Sequence, residues 1–233
     1  MNRDGLRRLV RAATSALAED TVVVIGSQSI LGSFVDFMLP VAATVSTEAD
    51  LLPFDDEGEA KADTIDGLLG ADSYFAATYG IYADGVSAWT ARLPDGWEQR
   101  LVRFDDDQSG SIGLCLHPSD LCVSKVLAGR SKDLDFVREV FAAGLVDPVD
   151  VEDRLDTVPL RPSEEAMRER AKAMLAAIPR LDSYAAGPQR AVDDIERLAD
   201  KLERMRIAAT LCGRTLPDLT PCLQDRRSCT LHP

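Results

Sequence analysis

The chain has 233 residues, 45% of them hydrophobic and 28% charged, which is enough for one sizeable core or for a core with an appendage. No stretch approaches the roughly 20 apolar residues of a membrane span, and the charged first residues lack the apolar segment of a secretory signal, so we expect no membrane association. The formal net charge of −13 excludes strong non-specific attraction to nucleic acid, and RNA binding would need a local basic patch or a metal ion that masks the carboxylates.

The first third of the chain alternates between helix and strand patterns. Apolar residues at helical spacing predict a helix over Arg3–Ala18, and the β-branched run Thr21–Ile25 predicts a buried strand. A second helix is predicted over Ser27–Met38 and a second strand over Ala43–Leu52, followed by a helix over Ala60–Leu69. This alternation is typical of a domain in which helices pack on a sheet.

The middle third is richer in strand formers, and the remainder is helical. Strands or hairpin arms are predicted over Tyr79–Val86, Ala88–Leu93, Gln99–Arg103 and Ser111–Leu116. Helices are predicted over Pro118–Ala128, with Ser119 or Asp120 near the N-cap, and over Lys132–Ala143, Val149–Leu155, Ser163–Ile178 and Gly187–Ala209. The order predicts an α/β or α+β domain over residues 1–145, a helical region over 146–210 and a loosely ordered tail over 211–233.

The cysteines bear on the compartment and on metal binding. Their number, five, is odd and no pair has Cys-x-x-Cys spacing, which favours a reduced, cytoplasmic chain. Cys212, Cys222 and Cys229 accompany His232 in the predicted tail, but their irregular spacing argues against a zinc site.

Gly26 and Ser27 stand where the first buried strand runs into a predicted helix. Backbone N–H groups at a helix N-terminus favour an anion, a small residue lets phosphate approach closely, and the Ser27 hydroxyl adds a donor. The alternative is that Gly and Ser serve only the geometry of the turn, as they do in many strand-to-helix connections.

Glu48 and Asp50 lie one residue apart in an otherwise apolar strand pattern. Residues i and i+2 of a strand point to the same face, so the two carboxylates would sit side by side near the Gly-Ser turn. Mg²⁺ prefers one or two carboxylates together with phosphate oxygens and water, so the pair predicts a metal site. The alternative is a solvated strand end, since Asp55, Asp56 and Glu57 make this region acidic in any case.

A third group comprises Lys125, Arg130, Lys132 and Asp133. Lys125 falls on an otherwise apolar helix, where a buried ammonium needs an anionic partner such as an acidic side chain or a triphosphate. Asp133 falls in the first turn of the next helix, where the helix dipole favours a carboxylate. The alternative is an amphipathic lysine with its ammonium in solvent and an aspartate that only caps its helix.

These motifs, in this order, resemble nucleotidyltransferase-like proteins related to the AbiEii-type toxins of bacterial toxin–antitoxin and phage-defence systems. The likeness covers roughly residues 20–140 and is strongest over residues 24–32, 48–51 and 124–133. The segment Leu93-Pro94-Asp95-Gly96-Trp97 is typical of one uncharacterised branch of these proteins.

The resemblance implies a nucleotidyltransferase fold, with a mixed sheet flanked by helices, and a set of residue roles. Gly26 and Ser27, with Lys125, Arg130 and Lys132, would hold the phosphates of a nucleoside triphosphate. Glu48 and Asp50 would hold Mg²⁺ or Mn²⁺, with Glu48 where the family more often has Asp. Lys125 and Asp133 would match the distal catalytic pair of the toxin motif. The implied reaction moves a nucleotide from the triphosphate to an RNA, such as tRNA, or to a protein, and an antitoxin is an implied partner.

Three functions remain open at this stage. The first is a metal-dependent nucleotidyltransferase that acts as a toxin or defence component. The second is a catalytically degenerate module of the same fold that works through a partner protein; it is motivated by the lack of an evident third carboxylate, for which Asp84 and Asp105 are the candidates. The third is a small-molecule enzyme of the aminoglycoside-modifying type, since an acidic cleft suits a cationic acceptor. An RNA acceptor would need the basic face that the later helices offer at Arg161, Arg168, Arg170 and Lys172.

Overall fold

The computed structural model describes residues 1–106 and 109–179. The strands are β1 (Thr21–Ile25), β2 (Glu48–Leu52), β3 (Tyr82–Gly85), β4 (Val102–Asp105) and β5 (Ile112–Cys115). The α-helices are α1 (Arg3–Leu17), α2 (Val41–Thr44), α3 (Ala60–Leu69), α4 (Tyr74–Tyr79), α5 (Pro118–Ala128), α6 (Ser131–Ala142), α7 (Pro148–Asp156) and α8 (Glu165–Ala176). Short 3₁₀ segments occupy Ser27–Gly32, Asp36–Met38, Trp97–Arg100 and Pro162–Glu164.

The five strands form one mixed sheet in the order β3-β2-β1-β5-β4. The central strand β1 runs antiparallel to β2 and parallel to β5, and the outer pairs are parallel β2–β3 and antiparallel β4–β5. Helices flank this sheet, which confirms the predicted α/β class with a mixed sheet. Because β1 is central, the turn that follows it lies between β2 and β5.

The two faces of the sheet are covered unequally. One face packs against α1 and α3 in a large apolar cluster to which β2 contributes Ala49 and Leu51. The other face carries a small cluster of Val23, Ile25 and Leu52, covered in part by residues from the segment that follows β3. Since alternate residues of a strand share a face, Glu48 and Asp50 lie on the thinly covered side with Leu52.

The prediction of one helix over Ser27–Met38 is wrong. The chain forms two short 3₁₀ segments instead, and the Gly26 carbonyl accepts hydrogen bonds from the Ser29 amide at 3.2 Å and the Ser29 hydroxyl at 2.8 Å. A serine that bonds to nearby backbone in this way competes with the α-helical pattern. Gly32 also packs directly on Cys115, where an added Cβ would meet the sulfur.

Other predicted bounds also need correction. The second strand begins at Glu48 rather than Ala43, because Val41–Thr44 forms a helical turn. The strand predicted from Tyr79 begins instead at Tyr82. Helix α4 continues to Tyr79, and Gly80 ends it in the left-handed conformation. Ala88–Leu93 forms no strand and instead crosses the thinly covered face; the strand predicted at Gln99–Arg103 is shifted to Val102–Asp105. The N-cap of α5 is His117, whose Nδ1 accepts from the Ser119 amide, and Ser119 and Asp120 lie near it in the first turn of the helix.

The remaining helices lie where the pattern predicts them: α5 matches Pro118–Ala128, and α6, α7 and α8 agree with the predictions to within a few residues. The predicted helix Gly187–Ala209, the tail 211–233 and its cysteines lie outside the described residues. Among the described helices, none is long and apolar enough to cross a membrane.

Asp120 joins α5 to two neighbouring segments. Its fully buried carboxylate accepts from Arg100 Nε at 2.9 Å and Nη2 at 3.0 Å, and from Arg154 Nη1 of α7 at 3.0 Å. The Arg154 guanidinium beside His117 adds to the effect of burial and keeps the pKa of that imidazole below its usual value. The network fixes the 3₁₀ segment Trp97–Arg100 against the helical part of the fold.

Replacing Asp120 by Ala should lower the free energy of unfolding by about 3 kcal/mol, because two arginines lose a buried counter-charge. Urea denaturation measures this. The matched control is Asp135→Ala, which removes an exposed Asp–Arg pair on α6 and should change stability by less than about 1 kcal/mol. Equal losses in the two variants would show that the Asp120 network does not support the fold.

Candidate functional site

In the turn after β1, the backbone of Gly26 contacts the carboxylate of Asp50. Ile25 is opposite Asp50 in the antiparallel pair of β1 and β2, and Gly26 follows with φ +67°. A Cβ added at Gly26 would overlap the Asp50 carboxylate. Glycine is therefore required at this position for two reasons: the positive φ of the backbone and the close approach of the Asp50 carboxylate.

Three carboxylates lie side by side on the thinly covered face. Glu48 and Asp50 are two residues apart in β2, and Asp84 is the register partner of Asp50 in the parallel strand β3. Burial, followed by the charges of Glu48 and Asp84, raises the pKa of Asp50 to about 6. The pKa of Asp84 is raised too, first by burial and then by Glu48. A cation placed beside these carboxylates would favour the ionised forms of Asp50 and Asp84.

Tyr82 holds the first of these carboxylates. Tyr82 is the register partner of Glu48, and its hydroxyl donates to Glu48 Oε2 at 3.0 Å. The contact raises the pKa of the Tyr82 hydroxyl, so Tyr82 remains a donor at neutral pH.

A cationic group lies on the other side of the same turn. Lys125, only 8% exposed on α5, donates from Nζ to Ser27 Oγ at 2.8 Å and to Asp133 Oδ1 at 3.2 Å. Its ammonium also lies 4.5 Å from the centre of the Phe136 ring. Burial lowers the pKa of Lys125, and the charge of Asp133 acts against this shift. Within the part of the chain that the structure describes, these contacts use two of the three N–H donors of Lys125, which leaves one for a further anion.

Asp133 is shared between two cations. It is fully buried, and Arg130 Nε donates to its Oδ2 at 2.6 Å. Burial alone would raise the pKa of Asp133, but the hydrogen bonds from Arg130 and Lys125 outweigh it and leave the pKa below its usual value. Asp133 therefore fixes Lys125 next to Ser27, while the guanidinium of Arg130 remains largely exposed.

The acidic and cationic groups belong to one site. Lys125 and Arg130 are close enough to Asp50 for their charges to lower its pKa, against the larger effects of burial and of the neighbouring acids. Gly26 contacts the acidic group and Ser27 contacts the cationic group. One two-residue turn thus joins three carboxylates to a lysine and an arginine.

The sequence-predicted site residues fall into two sets. The structure brings together seven of them: Gly26, Ser27, Glu48, Asp50, Lys125, Arg130 and Asp133. Lys132 is exposed, and the hydrogen bonds of this network do not include it. The helix expected after Ser27 is a six-residue 3₁₀ segment, too short to offer the N-terminal field of a full helix.

Asp84 is the residue that the sequence left undecided. Of the two candidates for a third carboxylate, Asp84 lies beside Asp50, whereas Asp105 lies in β4 at the far edge of the sheet and pairs with Arg103 at 2.7 Å. Tyr82-Ala83-Asp84 repeats the outward–buried–outward alternation of Glu48-Ala49-Asp50. That alternation is the sequence signal that could have identified Asp84. Only the register of β2 and β3 shows that Asp84 lies beside Asp50.

The donor set fits a hard divalent cation in part. Within residues 1–106 and 109–179, no group of three or more His, Cys, Asp and Glu side chains could hold a metal ion by itself. Mg²⁺ is commonly held by one or two carboxylates with phosphate oxygens and water completing the octahedron. Asp50 with one neighbouring acid would meet that need once a phosphate is present.

Comparison with known proteins bears on this geometry. Residues 5–174 match the model of a family described as nucleotidyltransferase of unknown function (DUF6036). The match spans the five strands described above and reaches into α8. Neither the curated proteins nor the solved structures give a significant match.

Proposed function

We propose, from the premise that the chain belongs to the DUF6036 family of nucleotidyltransferases of unknown function, that it transfers a nucleotide from a nucleoside triphosphate to a hydroxyl acceptor in a metal-dependent reaction. One observation carries the proposal. The turn Gly26-Ser27 touches the Asp50 carboxylate on one side and the Lys125 ammonium on the other. A triphosphate with its divalent cation needs both partners at one place.

Lys125, Arg130 and Ser27 are assigned to the phosphates. Lys125 has an unused donor beside Ser27, and the exposed guanidinium of Arg130 is anchored by Asp133. A planar guanidinium can bind phosphate oxygens in a bidentate manner. Asp133 acts through Lys125 and Arg130, so it is a positioning residue in this proposal.

The acidic residues are assigned to the metal and to the acceptor. Asp50, with Glu48 or Asp84, would hold Mg²⁺ or Mn²⁺, and the cation would supply charge neutralisation to the phosphate oxygens. Glu48 is held by the Tyr82 hydroxyl, which fixes one oxygen of the pair. Asp84 has the place of a third carboxylate next to Asp50, and we assign it to the acceptor hydroxyl.

A role in toxicity or defence extends this proposal. It rests on the resemblance to AbiEii-type toxins, in which Lys125 and Asp133 match the distal motif. The contact of Lys125 with both Ser27 and Asp133 supports the extension, because a distal pair would have to reach the phosphate turn in order to act there. The degenerate-module alternative was motivated by a missing third carboxylate, and the position of Asp84 weakens that motive.

The test measures nucleotide transfer directly. Purified protein with Mg²⁺ and α-³²P-labelled nucleoside triphosphates is offered RNA, proteins and small molecules of a cell extract as acceptors, and both labelled products and pyrophosphate are followed. We expect labelling that Asp50→Ala abolishes and that Asp84→Asn lowers about 100-fold.

Asp105→Asn is the matched control for Asp84→Asn, since Asp105 is the rejected candidate at the far sheet edge, and it should label like the wild type. Unchanged labelling by Asp50→Ala would refute the metal role. If the wild type showed no heat of binding with any triphosphate plus Mg²⁺ and co-purified with a partner protein, the degenerate-module function would replace this proposal.

A further inference from the structure

A cavity of about 340 Å³ opens on the same face of the sheet as the three carboxylates. Val23, Leu52 and Val86 line it, and they lie two residues along the chain from Ile25, Asp50 and Asp84. Residues i and i+2 of extended chain share a face and are separated by roughly 7 Å. The cavity therefore adjoins the carboxylates, and its volume is in the range of small-molecule sites.

The walls of this cavity are aromatic. Trp97 and Trp89 both line it, and Trp89 is 66% exposed. Phe54, also in the lining, is 41% exposed. The Asp120 network holds the 3₁₀ segment that begins with Trp97. Exposed rings over an apolar floor offer stacking surfaces and cation–π partners.

The charged side chains that line this cavity are all acidic. Asp55, Glu57 and Glu98 belong to its lining and are exposed, whereas Asp56 accepts hydrogen bonds from the first amides of α3. A second cavity, of about 620 Å³, shares Val86 and is lined by Asp66, Asp72 and Asp84. Among the described residues that line these two cavities, none is Lys or Arg.

This charge discriminates between classes of acceptor. A cation is attracted to such a cleft and a polyanion is repelled. Of the four residues expected to form a basic face, Arg168 is only 11% exposed and donates to Glu165 and to two backbone carbonyls, and Lys172 pairs with Asp156 at 2.6 Å. Arg161 and Arg170 are exposed, and Arg161 lines a separate cavity of about 280 Å³ on the other side of the two tryptophans, where Arg92 pairs with Glu164 at 2.8 Å.

We propose that the cavity between Trp89 and Trp97 is the acceptor site and that it takes a small, positively charged alcohol with an apolar or planar face. The inference rests on the proposed function. The acceptor hydroxyl oxygen would form a bond to the α-phosphorus, while the bond from that phosphorus to the bridging oxygen breaks. Pyrophosphate leaves with the bonding electron pair, and the hydroxyl proton passes to the carboxylate of Asp84, which releases it to solvent.

The chain offers a direct probe, since Trp89 and Trp97 are its two tryptophans. Kanamycin and tyramine serve as hydroxylated cations, trehalose as a neutral polyol and a polyuridylate oligomer as a polyanion, each titrated against the full chain while tryptophan emission is recorded. We expect saturable changes with the cations alone. Binding of Mg²⁺–ATP is measured in parallel by calorimetry.

Two kinds of variant test the two features of the cavity. Trp89→Ala should weaken cation binding about tenfold and Trp89→Phe should weaken it less, since the ring is kept. The double variant Asp55→Asn, Glu98→Gln keeps both tryptophans and should also weaken cation binding about tenfold. Asp4→Asn, an exposed acid on α1, is the control and should bind cations like the wild type. All of these variants should bind Mg²⁺–ATP normally.

The outcomes separate this inference from the proposed function. If neither cation gives a saturable change while Mg²⁺–ATP binds, the acceptor inference is wrong and the proposed function stands. If polyuridylate binds and the cations do not, the acceptor is RNA and the inference is overturned. If neither ATP nor any other nucleoside triphosphate binds in the presence of Mg²⁺, the proposed function itself is wrong.

Discussion

Replacing Asp50 by Asn should stabilise the metal-free protein at pH 7.5 by up to about 3 kcal/mol, since each pKa unit corresponds to about 1.4 kcal/mol. Burial and the charges of Glu48 and Asp84 raise the pKa of Asp50 from 3.8 to about 6. The folded chain thus binds this proton more tightly than the unfolded chain does. The wild type should lose stability as the pH rises from about 4 to about 6, and Asn, which resembles the protonated acid, should abolish that loss.

Urea denaturation in the presence of a chelator, at pH 4 and at pH 7.5, measures this effect. The two proteins should differ little at pH 4. Addition of Mg²⁺ with ATP at pH 7.5 should stabilise the wild type and leave Asp50→Asn unchanged, because the variant lacks the proposed ligand. Asp4→Asn is the control for the removal of an exposed carboxylate. A variant that is less stable than the wild type at pH 7.5 would contradict the electrostatic account of Asp50.

Replacing Gly26 by Ala should abolish binding of Mg²⁺–ATP and lower the free energy of unfolding by about 2 kcal/mol or more. The backbone at φ +67° disfavours any Cβ, and the added methyl would overlap the carboxylate of Asp50. Either Asp50 moves off the turn or the turn moves away from Ser27. Both displacements separate the acidic group from the cationic group.

Gly144→Ala is the matched control for this variant. Gly144 has the same φ of +67°, but nothing lies within 4 Å of an added Cβ. Its replacement should lower the free energy of unfolding by only about 1 kcal/mol, because the backbone conformation alone disfavours the Cβ, and it should leave nucleotide binding intact. Calorimetry with Mg²⁺–ATP and urea denaturation provide the two readouts. Wild-type affinity in Gly26→Ala would show that the contact with Asp50 does not matter for the site.

The sequence was most informative where the physical cause is local. Strand β1 follows from a β-branched run, and α5 follows from Pro118 at its first position and Gly129 after its last. The pairing of Glu48 with Asp50 on one face follows from the two-residue period of any strand. The prediction for Ser27–Met38 failed because apolar spacing carries no information about serine–backbone bonds or about the packing of Gly32 on Cys115.

The sequence by itself thus determined the fold class, the acidic pair and the buried lysine that needs an anion. Tertiary structure alone decided three further points: Asp84 rather than Asp105 joins the acidic pair, Lys125 reaches Ser27, and the residues after β3 leave an acid-lined cavity beside the carboxylates. Asp84 is separated from Asp50 by the helices α3 and α4, and Lys125 lies 98 residues from Ser27. Strand register and helix docking set these contacts, and both arise from the packing of the whole sheet rather than from any local pattern.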